Sequence, residues 1–340
     1  MNGRFATSGN PLLHVDLQID EHEPRRGILE LLSRLRPQWK ATDIQMKTFT
    51  EGITNQLIGC YVASLQEPGC VLVRLYGKMT ELYVNRDREV EMLQVFHTHG
   101  CGPQIYCSFQ NGICYEFVRG TVLDDELLRQ PSIYRLIAAE MGRIHSIQPK
   151  CGPPVEPFLW TKMSHFLTVA QSSVSKSPVA TQEVPSFETL SVELESLKRH
   201  LSQVDSPTVL CHNDLLTKNI IYNHKEGEEP EILRYRERTY TTDSKLINLV
   251  FFFFGGVNEV NYGLYPGPEL QRDWLTAYLE SYKRSTGSEV TVTEAEVTQL
   301  YVQVCKFSLV RAFNYWFSFV TGQITKQNNK KNTKNIQDIQ

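Results

Sequence analysis

The chain has 340 residues and a mass of 39.1 kDa, too long for one small module and enough for one large or two modest domains. A hydrophobic fraction of 41% with 20 glycines excludes general disorder. With 35 basic against 38 acidic residues and a net charge of -3, a global reader of phosphate backbones is excluded, and no nucleic-acid partner is expected. Pro11, Asp16, Asp20, Glu21 and Glu23 break up the N-terminal region, so no secretory signal is expected there. The longest apolar run, Leu246 to Phe254, falls far short of the roughly 20 residues that span a bilayer, so no membrane span is expected. The eight cysteines show neither Cys-x-x-Cys spacing nor a zinc pattern, which predicts free thiols in a reducing, cytoplasmic setting.

In chain order, Thr48-Phe49, Leu57 to Val62 and Cys70 to Tyr76 read as strands, the last rich in β-branched and aromatic residues with Arg74 as its one charge. A helix is expected from near Thr80, carrying Val90, Leu93 and Phe96 at helical spacing. Ile105 to Phe109 and Ile113 to Val118 flank Gln110-Asn111-Gly112, a hairpin in which Asn-Gly supplies the tight turn. Beyond Gly120 the pattern turns helical. Ser132 is expected to cap a helix bearing Ile133, Leu136, Ile137, Met141 and Ile144. Pro149 to Pro157 reads as an extended connection and Gln171 to Ser186 as a Ser/Pro-rich linker. Phe187, Leu190, Leu194, Leu197 and Leu201 mark another amphipathic helix. The arrangement predicts a sheet-rich lobe of five strands followed by a larger helical lobe.

The strongest motif is Cys211-His212-Asn213-Asp214-Leu215-Leu216-Thr217-Lys218-Asn219, set between apolar strands Thr208 to Cys211 and Ile220 to Tyr222. It satisfies the His-x-Asp-Leu-x-x-x-Asn spacing of a kinase catalytic loop, where the Asp orients a substrate hydroxyl and the Asn supplies an oxygen to magnesium. The alternative is an Asn/Asp-rich turn between two strands. Upstream, Gly52-Ile53-Thr54-Asn55 reads either as a phosphate cradle or as a plain hairpin loop. Arg74 stands where a kinase fold carries its strand lysine, or else is an edge-strand charge that blunts aggregation. Glu89 is its natural partner on the next helix, or a residue of a solvated helix face.

With these residues in order, the chain resembles the choline/ethanolamine kinase family, and its ethanolamine kinases in particular. The resemblance is carried by Phe49 to Asn55, Val73 to Gly77, Gly102 to Tyr106 and Cys211 to Tyr222, and by Gly256 to Val260 with Leu264-Tyr265-Pro266. It is good over residues 28 to 223 and moderate over 255 to 307. The resemblance implies an α+β, two-lobed, protein-kinase-like fold, with a small antiparallel-sheet lobe and a larger helical lobe. The implied boundaries are an N-terminal extension over 1–27, a nucleotide-binding lobe over 28–118, a helical lobe with the catalytic loop over 119–325, and a disordered polar tail over 326–340.

The same resemblance implies transfer of the ATP γ-phosphate to the hydroxyl of ethanolamine, with Mg2+ as cofactor, as the first step of the CDP-ethanolamine route to phosphatidylethanolamine. A homodimer belongs to the same expectation. By position, Asp214 is the catalytic base, with His212 holding the loop backbone, and Asn219 is a metal ligand. Gly52, Thr54 and Asn55 form the phosphate loop, Arg74 and Glu89 the ion pair, and Glu116 to Val118 the hinge facing adenine. Where the family continues with a strand carrying a second metal-binding Asp, this chain reads Ile232-Leu233-Arg234-Tyr235-Arg236, placing Arg234 at the Asp position. The alternatives are therefore a choline kinase, or a pseudokinase-like variant that keeps the cleft and turns over poorly.

Overall fold

A computed structural model of the chain describes residues 12–49, 55–63, 69–77, 86–148, 158–174, 186–212, 215, 217–223, 234–235, 241–246, 249 and 265–308. The small lobe is a six-stranded sheet in the order β1-β5-β6-β4-β3-β2. Its strands are β1 (His14–Val15), β2 (Ile44–Phe49), β3 (Asn55–Val62), β4 (Val71–Tyr76), β5 (Ile105–Phe109) and β6 (Gly112–Glu116). All neighbours pair antiparallel except β1, which lies parallel to β5.

The five expected strands are present, and β1 is a sixth that the sequence reading missed. At two residues it is too short to show an alternating pattern. It is held by backbone bonds flanking it, from Ser108 N–H to the Leu13 carbonyl and from Gln110 N–H to the Leu17 carbonyl. Val15 and Ile19 are buried, so residues 12–23 pack as an integral part of this lobe.

Alternation along β4 decides what each face of the sheet meets. Val71, Val73 and Leu75 bury against helix α1 (Pro24–Leu35), through Ile28, Leu31 and Leu32. Leu72 faces the other way, into a core shared with Met92, Leu93 and Phe96 of helix α2 (Arg86–Thr98). Arg74 has the parity of Leu72 and so shares its face, toward α2. Residues 80–85, where the start of that helix was expected, lie outside the described residues.

Strand β7 (Thr121–Val122) leads from the sheet into the second lobe. There it pairs with β9 (Ile220–Tyr222), which in turn pairs with β10 (Arg234–Tyr235). Strands β8 (Thr208–Cys211) and β11 (Thr241–Ser244) form a separate two-stranded ladder. Helix α3 (Pro131–His145) buries Ile133, Ile137, Met141 and Ile144 as the periodicity predicts, but Ser132 is not its cap. The helix begins at Pro131, whose fixed φ suits the first turn, and Gln130 occupies the cap position without a side-chain bond.

Helix α4 (Phe158–Val174) runs four residues into the expected Gln171–Ser186 linker. Ser186 instead opens helix α5 (Phe187–Leu201), accepting a hydrogen bond from Thr189 N–H at 3.1 Å. The expected connection over 149–157 and tail over 326–340 lie outside the described residues.

Two further helices, α6 (Pro268–Thr286) and α7 (residues 294–308), complete the lobe. Helices α3 and α6 pack closely because Gly142 has no side chain: a Cβ there would meet the Tyr278 carbonyl at 2.6 Å. The contact is lined by stacked Trp274, Tyr278 and Tyr282, with His145 Nδ1 and the Tyr278 hydroxyl sharing a buried hydrogen bond of 2.9 Å. Among the described residues no helix is long and apolar enough to cross a membrane. The seven described cysteines are free thiols, six of them buried. Burial pushes Cys60 and Cys101 up to about 12, which keeps them protonated and unreactive.

Candidate active site

The small-lobe half of the site is built on β4 and α2. Arg74 is only 6% exposed and Glu89 only 4%. The guanidinium of Arg74 lies 3.1 Å from Glu89 Oε1, bringing the two together as expected. Strand β4 lies between β6 and β3 in the middle of the sheet, which overturns the edge-charge reading of Arg74. Burial likewise overturns a solvated face for Glu89. A charge this deep is retained only against an opposite charge, so each residue explains the other.

Two residues at this site were not singled out from the sequence. Arg86 Nη1 donates to the second oxygen of the same carboxylate, Glu89 Oε2, at 2.8 Å. Its guanidinium also lies 3.8 Å from the centre of the Tyr76 ring, close enough for a cation–π contact. Tyr76 ends β4, two residues after Arg74, and its N–H donates to the carbonyl of Asn111 in the β5–β6 turn. The signal was legible in Arg86-x-x-Glu89, the i,i+3 spacing of facing helix residues. It escaped notice because the helix start was placed earlier.

Glycine at 112 is part of the same construction. A Cβ there would stand 2.2 Å from the Arg74 carbonyl and 2.4 Å from the Phe109 ring, so only glycine lets β6 pass β4 here. At the other end of β6, Glu116 is tied back by its own groups. Its N–H donates to the Gln104 carbonyl, and its carboxylate accepts from Gln104 N–H at 3.1 Å. Val118 follows in a half-buried, extended segment between β6 and β7, where a hinge would run. Of the expected phosphate loop, Gly52 and Thr54 lie outside the described residues, and Asn55 enters only as the first residue of β3.

The second half of the site comes from the loop between β8 and β9. His212 follows β8 directly and is buried, 1% exposed. Asp214 lies outside the described residues. Leu215 and Thr217 are buried, and Thr217 Oγ1 donates to Asp125 Oδ1 at 3.3 Å, pinning the loop to the segment after β7. Asn219 closes a short 3-10 turn (Thr217–Asn219) and is half-buried. The pairing of Val122 with Ile221, and a bond from Leu123 N–H to the Ile220 carbonyl, set the chain that follows β6 beside Asn219.

Strand β10 runs antiparallel to β9 with Arg234 opposite Ile221 and Tyr235 opposite Ile220, so Arg234 belongs to the strand lying next to Asn219. Asp243 sits on β11 opposite Val209, on the strand that enters the loop rather than the one that leaves it. It is 3% exposed. Burial, then the charge of Asp243, push the Cys211 thiol well above its ordinary value. Glu237, the other carboxylate near Arg234 in sequence, lies outside the described residues. The described residues contain no group of three or more His, Cys, Asp or Glu side chains placed to hold a metal. Asn219 offers one neutral oxygen of the kind magnesium accepts, which is one ligand rather than a site.

A small, mainly antiparallel sheet with a buried Arg–Glu pair, followed by a helical lobe that carries a His-x-Asp-x-x-x-x-Asn sequence, defines a protein-kinase-like fold. A solved Plasmodium vivax ethanolamine kinase superposes with a TM-score of 0.75 at 20% identity, covering 90% of this chain and 84% of that one. A choline kinase from Cryptosporidium parvum superposes with a TM-score of 0.71 at 19% identity, covering 92% and 96%. The choline/ethanolamine kinase family model matches residues 46–334, continuing through the stretch around Arg234. The Homo sapiens protein ethanolamine kinase 1 is 44% identical over 310 residues, which is 90% of this chain and 68% of the relative. The chain belongs to the choline/ethanolamine kinase family.

Proposed function

We propose that this chain transfers the γ-phosphate of ATP to the hydroxyl of ethanolamine, giving phosphoethanolamine and ADP. The observation that carries the reading is 44% identity to a named ethanolamine kinase along 90% of the chain. Within that reading Asp214 accepts the proton of the substrate hydroxyl, whose oxygen forms a bond to the γ-phosphorus as the bond to the β-phosphate oxygen breaks. Arg74, oriented by Glu89, meets phosphate oxygens, together with the backbone of Gly52 to Asn55 and the Thr54 hydroxyl. His212, buried directly after β8, holds the loop backbone. Residues Glu116 to Val118 flank the adenine.

Magnesium belongs to the incoming MgATP, and Asn219 is assigned as its one protein oxygen. The described donors do not make a cage, and the resemblance sets Arg234 at the position of the family's second metal-binding Asp, so the chain adds no carboxylate there. A primary ammonium calls for hydrogen-bond acceptors where a trimethylated one calls for an aromatic cage. Glu259, a candidate for such an acceptor within the stretch Gly256 to Val260 that carries the ethanolamine-kinase resemblance, lies outside the described residues. Phosphoethanolamine and ADP forming in equal amounts from ATP and ethanolamine would support the proposal. ATP binding with no phosphorylated product would instead favour a binding protein, the reading that Arg234 motivates.

A further inference from the structure

We propose that Arg86 is a positioning residue for nucleotide binding, acting through Glu89 to present Arg74 to the phosphates. The inference rests on the kinase reading above and adds a residue to its machinery. Two observations carry it. First, Glu89 divides its carboxylate: Oε1 faces Arg74 at 3.1 Å and Oε2 accepts from Arg86 at 2.8 Å. With one oxygen committed to each guanidinium, the carboxylate cannot rotate without breaking a buried, charge-assisted contact.

Second, Arg86 is itself held in place. Its guanidinium packs 3.8 Å from the centre of the Tyr76 ring, and Tyr76 is tied through its backbone to Asn111. The same asparagine binds the Ile19 backbone through both side-chain ends, accepting from Ile19 N–H at 3.0 Å and donating to its carbonyl at 2.7 Å. A surface i,i+3 ion pair would have none of this support and would contribute little. Here the carboxylate side chain is 2% exposed and the Arg86 side chain 17%.

Arg86 holds Glu89 from its far side, so that Arg74 does not have to close on the carboxylate with its whole fork and keeps donors for phosphate oxygens.

The test is a double-mutant cycle on the full-length chain, with ATP affinity measured by calorimetry and KM for both substrates by steady-state assay. Arg86→Ala is expected to weaken ATP binding and raise KM for ATP about tenfold, with KM for ethanolamine changed less than about twofold. Combining it with Glu89→Gln is expected to add little beyond Glu89→Gln alone, since both act on one contact. Arg86→Lys keeps the charge but not the planar fork, and is expected to recover only part of the loss while melting like the parent. That variant carries the test if Arg86→Ala does not fold. A folded Arg86→Ala, or in its place Arg86→Lys, that binds ATP within about twofold of the parent would overturn the proposal. So would fully additive losses in the double mutant. A parent chain that does not bind ATP would overturn the kinase reading itself, and this inference with it.

Discussion

Gly112 and Arg74 show how closely the site depends on single atoms. The Arg74 carbonyl occupies the space a Cβ on residue 112 would need, at 2.2 Å, so Gly112→Ala must displace β4 or β6. The expected result is a loss of about 1–3 kcal/mol of stability, read by chemical denaturation, together with weaker ATP binding as Arg74 moves. Asp214 belongs to the same scale through its chemistry. On the proposed mechanism, replacing it by Asn removes the proton acceptor while keeping size and polarity, and kcat is expected to fall by roughly 10²- to 10⁴-fold with ATP affinity preserved. A wild-type kcat in Asp214→Asn would remove that residue from the mechanism.

At this scale the sequence was legible where one charge interrupted an apolar run, as Arg74 does in β4. For Arg86 it offered only the i,i+3 spacing to Glu89, easily lost among neighbouring charges; the packing on Tyr76 that sets this arginine apart comes from the fold. Gly112 was read as a turn residue, which accounts for its place in the hairpin but not for the strand it lets pass.

Among the elements, α3 and α6 form the main clamp of the helical lobe. Asp273 on α6 accepts from Arg135 Nε at 2.8 Å, from Arg135 Nη2 at 2.5 Å and from the Tyr134 hydroxyl at 2.6 Å. The Arg135 bonds lead in holding its carboxyl below the usual 3.8. A carboxyl lowered in the folded state stabilises fully above its unfolded value, and that contribution is lost as pH falls through the folded one. Asp273→Asn is therefore expected to cost about 1–2 kcal/mol near neutral pH, measured by denaturant unfolding. The difference from the parent should narrow from about pH 4 downward. An undiminished difference at low pH would show that the carboxylate charge is not what holds the helices.

The pattern of α3 was readable because its stripe is apolar and regular; its start was not, because Pro131 and Ser132 both carry start signals and the proline won. Strand β1 was beyond reach for a different reason. It is defined by a neighbour's edge and by Asn111, not by any periodicity of its own.

For the whole molecule, the two-lobed layout followed from the order of strand-like and helix-like segments, and the family from its motifs. What neither supplied is the consequence of Arg234, whose strand runs beside the one that Asn219 opens. A cation there opposes the metal that accompanies ATP, so Arg234→Asp is expected to raise kcat by more than about tenfold, equivalent to 1.4 kcal/mol of barrier. An unchanged or lower rate in that variant would show that this position is not a metal position in the chain.

The central claim is the identity of the amino-alcohol that receives the phosphate. The direct measurement offers the purified chain ATP with equal concentrations of ethanolamine and choline, and identifies the phosphorylated products by mass spectrometry over time. The account predicts that phosphoethanolamine forms in clear excess, whatever the absolute rate. Predominant phosphocholine, or ATP consumed with neither amino-alcohol phosphorylated, would contradict it.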